Sequence, residues 1–160
     1  MSPNSNPAGP VRSATREDIQ RILEIERESE TASQSSDADY QRALADSSSR
    51  IVLVVESAGH VQGFLMARYL HEECEIENIA VSKAARRLGF GGALLNAFLT
   101  FARAENDRAG SIAAILLEVR ESNQSARKLY ERFGFVKVGH RTDYYRGPEE
   151  DAVLYRLSFQ

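Results

Sequence analysis

The sequence is poor in thiols and indoles, with one cysteine and no tryptophan, and its apolar runs fall short of the roughly 20 residues that cross a bilayer. A lone Cys74 excludes an intramolecular disulfide, and no CxxC pair or zinc-like Cys/His spacing occurs. This suits a reducing compartment, and the protein is read as cytoplasmic with no membrane partner and no metal. Residues 1–10 (MSPNSNPAGP) lack the basic and apolar zones of a signal peptide; they are read as a flexible tail before one domain over residues 11–160. No GxxxxGK[ST] follows an apolar run, which argues against a nucleoside-triphosphate enzyme. A formal charge of −3 removes the long-range attraction expected for nucleic acid.

What is present is enough for one core, with 42% hydrophobic residues in 160. Thr15 and Asp18 stand at capping-box spacing before a helix whose Ile19, Ile22, Leu23 and Glu26 share one side. Residues 37–46 read as a short second helix and residues 51–55 (IVLVV) as a buried strand. Residues 61–70 and 75–81 follow as strands after an Ala58-Gly59-His60 turn. Leu94, Ala97, Phe98, Phe101 and Ala102 recur at helical spacing, placing a helix over residues 93–106 with Gly110 as terminator. Residues 112–119 form a further strand, Asn123 caps a helix carrying Ala126, Leu129, Tyr130 and Phe133, and residues 136–138 and 152–159 close the sheet. The succession predicts an α/β fold, a mixed sheet with helices on its faces.

The most informative stretch is residues 86–92 (RRLGFGG), between Asn78-Ile79-Ala80-Val81 and the central amphipathic helix. First-turn N–H groups of a helix have no intrahelical partner and carry the positive end of its dipole, so an anion, above all a pyrophosphate, docks there. Gly89, Gly91 and Gly92 allow main chain to approach such an anion without a Cβ in the way.

Glu118 lies inside an otherwise apolar strand, where a carboxylate is costly unless paired or open to a cleft. One account is a structural ion pair with Arg120, two residues on and on the same face; the other is a general base. Tyr130 is either a core aromatic or a proton donor, and Asn123 either an N-cap or a ligand contact. Glu72, Glu73, Glu75 and Glu77 read as a solvated edge. Glu75 and Glu77 nevertheless share strand parity with Ile79 and Val81, so either could enter the cleft as a base or as a receptor for a cation. His60, His71 and His140 are read as surface residues.

Together these segments resemble the GNAT superfamily of acetyl-CoA-dependent N-acetyltransferases. Arg86-Arg87-Leu88-Gly89-Phe90-Gly91 fits its Q/R-x-x-G-x-G/A pattern, in company with Asn78-Ile79-Ala80-Val81, Leu117-Glu118-Val119-Arg120, Ser122-Asn123, Leu129-Tyr130 and Phe133-Gly134-Phe135. Arg141, Tyr144, Tyr145 and Glu150-Asp151-Ala152 make the chain similar to the RimI-type ribosomal-protein-alanine N-acetyltransferases. The resemblance implies a mostly antiparallel mixed sheet with splayed middle strands and about four flanking helices. It implies acetyl-CoA as co-substrate, with Ile79, Ala80 and Val81 facing its pantetheine arm, Arg86, Arg87, Leu88, Gly89, Phe90, Gly91 and Gly92 holding its pyrophosphate, and Asn123 in contact with it. Glu118 becomes the proton acceptor and Tyr130 the proton donor. Two departures stand out: Ser82-Lys83 replaces an acidic residue and proline, and residues 29–39 lack the subfamily's aromatic-proline-tryptophan element.

The implied reaction is direct attack of an amine on the thioester in a ternary complex. An α-amine with pKa near 8 needs little help to lose its proton. A lysine near 10.4 must be brought down by roughly 2.5 units, about 3.4 kcal/mol. One carboxylate base therefore favours a peptide N-terminus, such as that of a ribosomal protein, with the enzyme a monomer or weak homodimer. The alternatives are a GNAT enzyme acting on a small-molecule amine or a lysine side chain, with the Glu72 to Glu77 corner as acceptor site, and a non-catalytic CoA-binding module.

Overall fold

The computed structural model describes residues 9–29, 34–110 and 112–159; the readings made for residues 1–8 and for 30–33 lie outside them. Strands β1 (Val11–Ser13), β2 (Arg50–Ser57), β3 (His60–Leu70), β4 (Glu73–Val81), β5 (Ala114–Arg120), β6 (Val136–Tyr145) and β7 (Glu150–Ser158) form one sheet in the order β1-β2-β3-β4-β5-β7-β6. β4 and β5 run parallel and the other neighbours antiparallel. Gly9 and Pro10, assigned to the tail by composition, already bond to Glu56 and extend the β1 pairing (2.7 and 3.2 Å).

Strand alternation sorts the core onto two faces. Leu65 and Ala67 of β3, with Ile115, Leu117 and Val119 of β5, pack under Leu94, Leu95, Phe98 and Ala102 of α3 (Phe90–Ala109) and Tyr130 of α4 (Gln124–Arg132). Val52 and Val54 of β2, with Phe64 and Met66 of β3, pack under Ile19, Ile22, Leu23 and Ile25 of α1 (Ile19–Glu28) and Tyr40 and Ala43 of α2 (Asp37–Ala45).

Two boundaries move. The central helix begins at Phe90 rather than Ala93, because Gly89 at φ +87° turns the chain into it and accepts the Ala93 N–H at 3.0 Å. Gly91 and Gly92 are thus first-turn residues. β6 runs to Tyr145 rather than Val138, because an edge strand exposed along most of its length carries no apolar alternation to mark it.

Glu26, read as part of the apolar side of α1, is a buried carboxylate, 1% exposed. It accepts hydrogen bonds from the Tyr40 hydroxyl, the Asn78 amide (2.9 Å) and the Ser35 N–H (3.1 Å), tying α1, α2 and β4 together. Burial and that carboxylate push the Tyr40 phenol well above its usual range.

At the other end of α1, Arg12 donates to Asp18 (2.7 and 2.9 Å) and to Glu56 (2.9 and 2.7 Å), and Asp18 also accepts the Thr15 N–H at 2.7 Å. The Arg12 bond outweighs desolvation and holds the Asp18 carboxyl below the usual aspartate range. A depressed folded-state pKa stabilises above the ordinary value near 3.9 and is lost as pH falls through the folded value. Asp18→Asn is expected to lower stability at pH 7 by about 1–3 kcal/mol. Urea melts should also show the wild type losing stability more steeply than the variant below about pH 4.

Candidate active site

The site begins where β4 and β5 part. Their parallel register runs from Glu73 opposite Ala114 to Ile76 opposite Leu117 and stops there. At the same point β4 carries a bulge against β3: Met66 pairs with Asn78 and Ala67 with Ile76, leaving Glu77 as the extra residue. One inserted residue reverses the strand's facing. Before it Cys74 and Ile76 pack under α3; after it Asn78 turns to Glu26 on α1, Ala80 joins the α1–α2 core, and Ile79 and Val81 lie against the α3 core. The shared parity of Glu75 and Glu77 with Ile79 and Val81 therefore does not hold. Both acids pair with arginines of β2 and β3 on the α1–α2 side.

Beyond the last β4–β5 pair lies a cleft of about 770 Å³. Its lining includes Ile79, Ala80, Val81, Arg86, Arg87, Gly89, Phe90, Gly91, Gly92, Asn123, Glu118 and Tyr130, so the structure brings together the candidates chosen from sequence with one exception. Leu88 stays out of the wall and turns its side chain to solvent, 47% exposed. The Phe90 side chain belongs to the core, leaving its first-turn backbone to face the cleft.

On the α3 side the wall has the form that an anion cradle needs. The amides of Phe90, Gly91 and Gly92 precede the first intrahelical bond, and Arg87 (φ 65°) and Gly89 (φ 87°) place the loop in left-handed conformations that lead into them. The glycines are not equivalent. A Cβ on Gly91 would meet Leu129 at 3.4 Å, and one on Gly92 would meet Leu129 and Phe133 at 3.9 Å, which is ordinary packing distance, so the fit of α4 against α3 does not itself demand glycine at either position. Gly89 is the position where positive φ requires glycine. The loop is moored to α1: Lys83 N–H donates to the Glu28 carboxylate (2.6 Å) and Arg86 to the Glu28 carbonyl (3.1 Å). Asn123 caps α4 through the Ala126 N–H (3.3 Å), as one of its two readings expected, and it also lines the cleft.

Tyr130 comes from α4, its ring against Phe135 (5.8 Å) and Tyr155 (6.2 Å). Burial raises its phenol well above the usual range, which keeps its proton in place through neutral pH.

Glu118 faces the opposite way from its neighbours Leu117 and Val119, toward the α1–α2 side, with its side chain 20% exposed. The expected pair with Arg120 does not form. Arg120 is occupied by the hairpin of β6 and β7: it donates to Pro148 O (2.9 Å) and Arg146 O (3.4 Å), pairs with Glu150 (3.4 Å) and stacks over Tyr145 (4.4 Å). Glu118 instead meets Arg141 of β6 at 3.5 Å, and the carboxylate lies close enough to the Tyr144 phenol to raise its pKa. Tyr145 is pushed up to about 12, by burial first and then by the Glu118 charge.

Residue-level reading left the partnership of Glu118 with Arg141 and Tyr144 unseen, because it depends on β6 folding back beside β7. The Glu26 network was also missed. Its signal was a carboxylate at an apolar-face position of an amphipathic helix.

The three histidines read as surface residues are all exposed, and His140 pairs there with Asp151 at 2.7 Å within β6–β7. Cys74 is fully buried, with its thiol pushed up to about 11 by desolvation, which suits a packing role rather than a nucleophile.

Comparison with known proteins gives the arrangement a context. The acetyltransferase (GNAT) family matches residues 17–135. A putative ribosomal protein bS18-alanine N-acetyltransferase of Bacillus subtilis is 32% identical over 144 residues, covering 90% of this chain and 91% of the relative. The crystal structure of the ribosomal-protein-S18-alanine N-acetyltransferase from Escherichia coli superposes with a TM-score of 0.79 at 26% identity, over 93% of this chain and 92% of that one. Ard1 from Thermoplasma volcanium gives 0.80 at 30% identity, over 96% and 99%.

A side chain at Gly89 tests the cradle. Gly89→Ala strains the turn into α3 at φ +87°, a cost on the order of 1–2 kcal/mol. Calorimetric titration with coenzyme A should show binding weakened roughly 5- to 30-fold. Unchanged affinity would remove this turn from the binding site.

Proposed function

The chain belongs to the GNAT acetyltransferase family, and from that membership we propose that it acetylates the N-terminal α-amine of a protein, of the ribosomal-protein-alanine type, using acetyl-CoA. One observation carries the reading. The gap between β4 and β5 joins an anion cradle on the α3–α4 side of the sheet to a carboxylate that faces the α1–α2 side. Coenzyme and acceptor can then reach one point from opposite faces.

Acetyl-CoA, as substrate, supplies an activated acyl carbon and a thiolate leaving group. The residues present suit its diphosphate: the Phe90, Gly91 and Gly92 amides with Arg86, Arg87 and Lys83 around them, and Asn123 across the cleft. The strand edge of Ile79, Ala80 and Val81, left without a β5 partner, offers main-chain groups to an extended amide-bearing arm and donors to a developing oxyanion. Glu118 accepts the proton that the amine loses as its nitrogen bonds to the acyl carbon. Tyr130, which lines the cleft from α4, gives its proton to the departing sulfur as charge develops there. The bond formed is the amide C–N and the bond broken is the thioester C–S. Glu118 ends protonated and Tyr130 ionised, and solvent restores both.

The charge at the acceptor side favours a peptide N-terminus over a polyamine or other small polycation. Such a ligand needs uncompensated acid. Here Glu73 pairs with Arg156 (2.7 Å), Glu75 with Arg68 (2.9 Å) and Glu77 with Arg50 (3.1 Å). Three of the four acids of the Glu72 to Glu77 corner are thus held in ion pairs, with Glu72 exposed at its tip, and burial still raises the Glu77 pKa.

We place residues 11–160 in one catalytic domain working in the cytoplasm as a monomer or weak homodimer. No helix among the described residues is long and apolar enough to cross a membrane.

The decisive assay follows CoA release with three acceptors: an alanine-initiated ribosomal-protein peptide, an Nα-blocked lysine peptide and a polyamine. The first should be preferred. Glu118→Gln and Tyr130→Phe should each lower kcat by roughly 10²-fold or more while leaving coenzyme A affinity within about threefold. Equal turnover by Glu118→Gln would remove that carboxylate from proton transfer.

A further inference from the structure

Glu77 and Glu118 line the cleft and Glu75 stands on the same side of the sheet, and each of the three carboxylates faces an arginine from another strand: Glu75 with Arg68, Glu77 with Arg50 and Glu118 with Arg141. The set is neutral as a whole. Its three arginines are not equally fixed. Arg50 and Arg68 are 31% and 39% exposed in mid-sheet strands, and Arg68 reaches toward Glu77 (3.6 Å) as well as Glu75. Arg141 is 54% exposed and comes from the edge strand.

The backbone around Arg141 is also the least regular part of that strand. Its register with β7 breaks between Arg141, opposite Ala152, and Tyr145, opposite Glu150. Within the break Asp143 takes φ 52° and its N–H is held by the Asp151 carboxylate at 2.8 Å. The Arg141 guanidinium lies over the Tyr144 ring at 5.4 Å while it pairs with Glu118 at 3.5 Å. A cation balances the proposed base through an arm that can leave without breaking a strand ladder.

We propose that Arg141 is a specificity-determining residue that occupies the charge of Glu118, so that the site takes a neutral α-amine in preference to a permanent ammonium. The inference rests on the reading of Glu118 as the base for an N-terminal acceptor. A lysine ammonium near pKa 10.4 arrives charged and must displace Arg141, exchanging one cation for another at the same carboxylate with little gain. An α-amine near pKa 8 has a sizeable neutral fraction, and that form enters without the exchange. With Arg141 removed, Glu118 loses its direct ion-pair partner. Among cations on adjoining elements, Arg120 is committed to Glu150 and Arg50 to Glu77; Arg68 is near enough to feel the Glu118 charge but is paired with Glu75, and Tyr130, Tyr144 and Tyr145 carry no positive charge. Cations of any kind then bind more tightly, and a lysine side chain becomes an unproductive ligand.

The test is a gain of affinity, which a damaged fold does not produce. Calorimetry on the full-length protein with coenzyme A present would compare an Nα-acetylated peptide containing lysine with the same peptide containing glutamine. Arg141→Gln should tighten binding of the lysine peptide roughly three- to tenfold over wild type, less in high salt, while the glutamine peptide binds alike in both. Arg141→Lys should keep the wild-type ratio. A lysine-to-glutamine ratio that is the same in all three proteins would overturn the proposal. In parallel, wild-type turnover of the alanine peptide reports on the N-terminal reading itself, so its absence would count against that reading while the binding ratio still decides the role of Arg141.

Discussion

A single extra residue in β4 sets the terms for the rest of the molecule. Up to Ile76 the strand obeys ordinary alternation and pairs with β5; at Glu77 the bulge shifts its register by one, and the pairing with β5 ends. Sheets tolerate such an interruption where the released backbone has other work. Here the release turns Ile79 and Val81 to the α3 side and sends Asn78 into the Glu26 network on the α1 side. The gap is therefore an opening through the sheet, walled by packed structure on both faces.

Each wall answers a different chemical demand. The α3 wall is built of main chain and small residues, with Gly91 and Gly92 in the first turn and Gly89 supplying the left-handed turn into the helix. The α1–α2 wall is built of charges, and those charges are matched. Carboxylates in a partly desolvated cleft would otherwise repel one another and attract any cation. Matching them with arginines from β2, β3 and β6 keeps the cleft around Glu118, the base we propose, from being a general cation trap.

Much of this was legible before any coordinates. The run from Arg86 to Gly92 between a strand and an amphipathic helix marked the cradle, and its cleft lining followed with only Leu88 turned away. Glu118 and Tyr130 stood out because each interrupts an apolar pattern, and both face the cleft. The length of β6 was not legible, since an exposed edge strand has no apolar face to write into the sequence. The partner of Glu118 was not legible either. Strand spacing suggested Arg120, but that guanidinium is drawn to two carbonyls and Glu150 in the β6–β7 hairpin, a contact between segments far apart in the chain.

By itself the sequence determined the element order, the two apolar faces and the class of ligand, because periodicity, caps and glycine spacing are local properties of a chain. Tertiary structure alone decided which way each charged side chain of β4 and β5 points and which arginine meets it. Strand parity holds only within an unbroken ladder. Pairing across strands depends on which segments the sheet brings side by side, and a bulge of one residue is enough to exchange the faces.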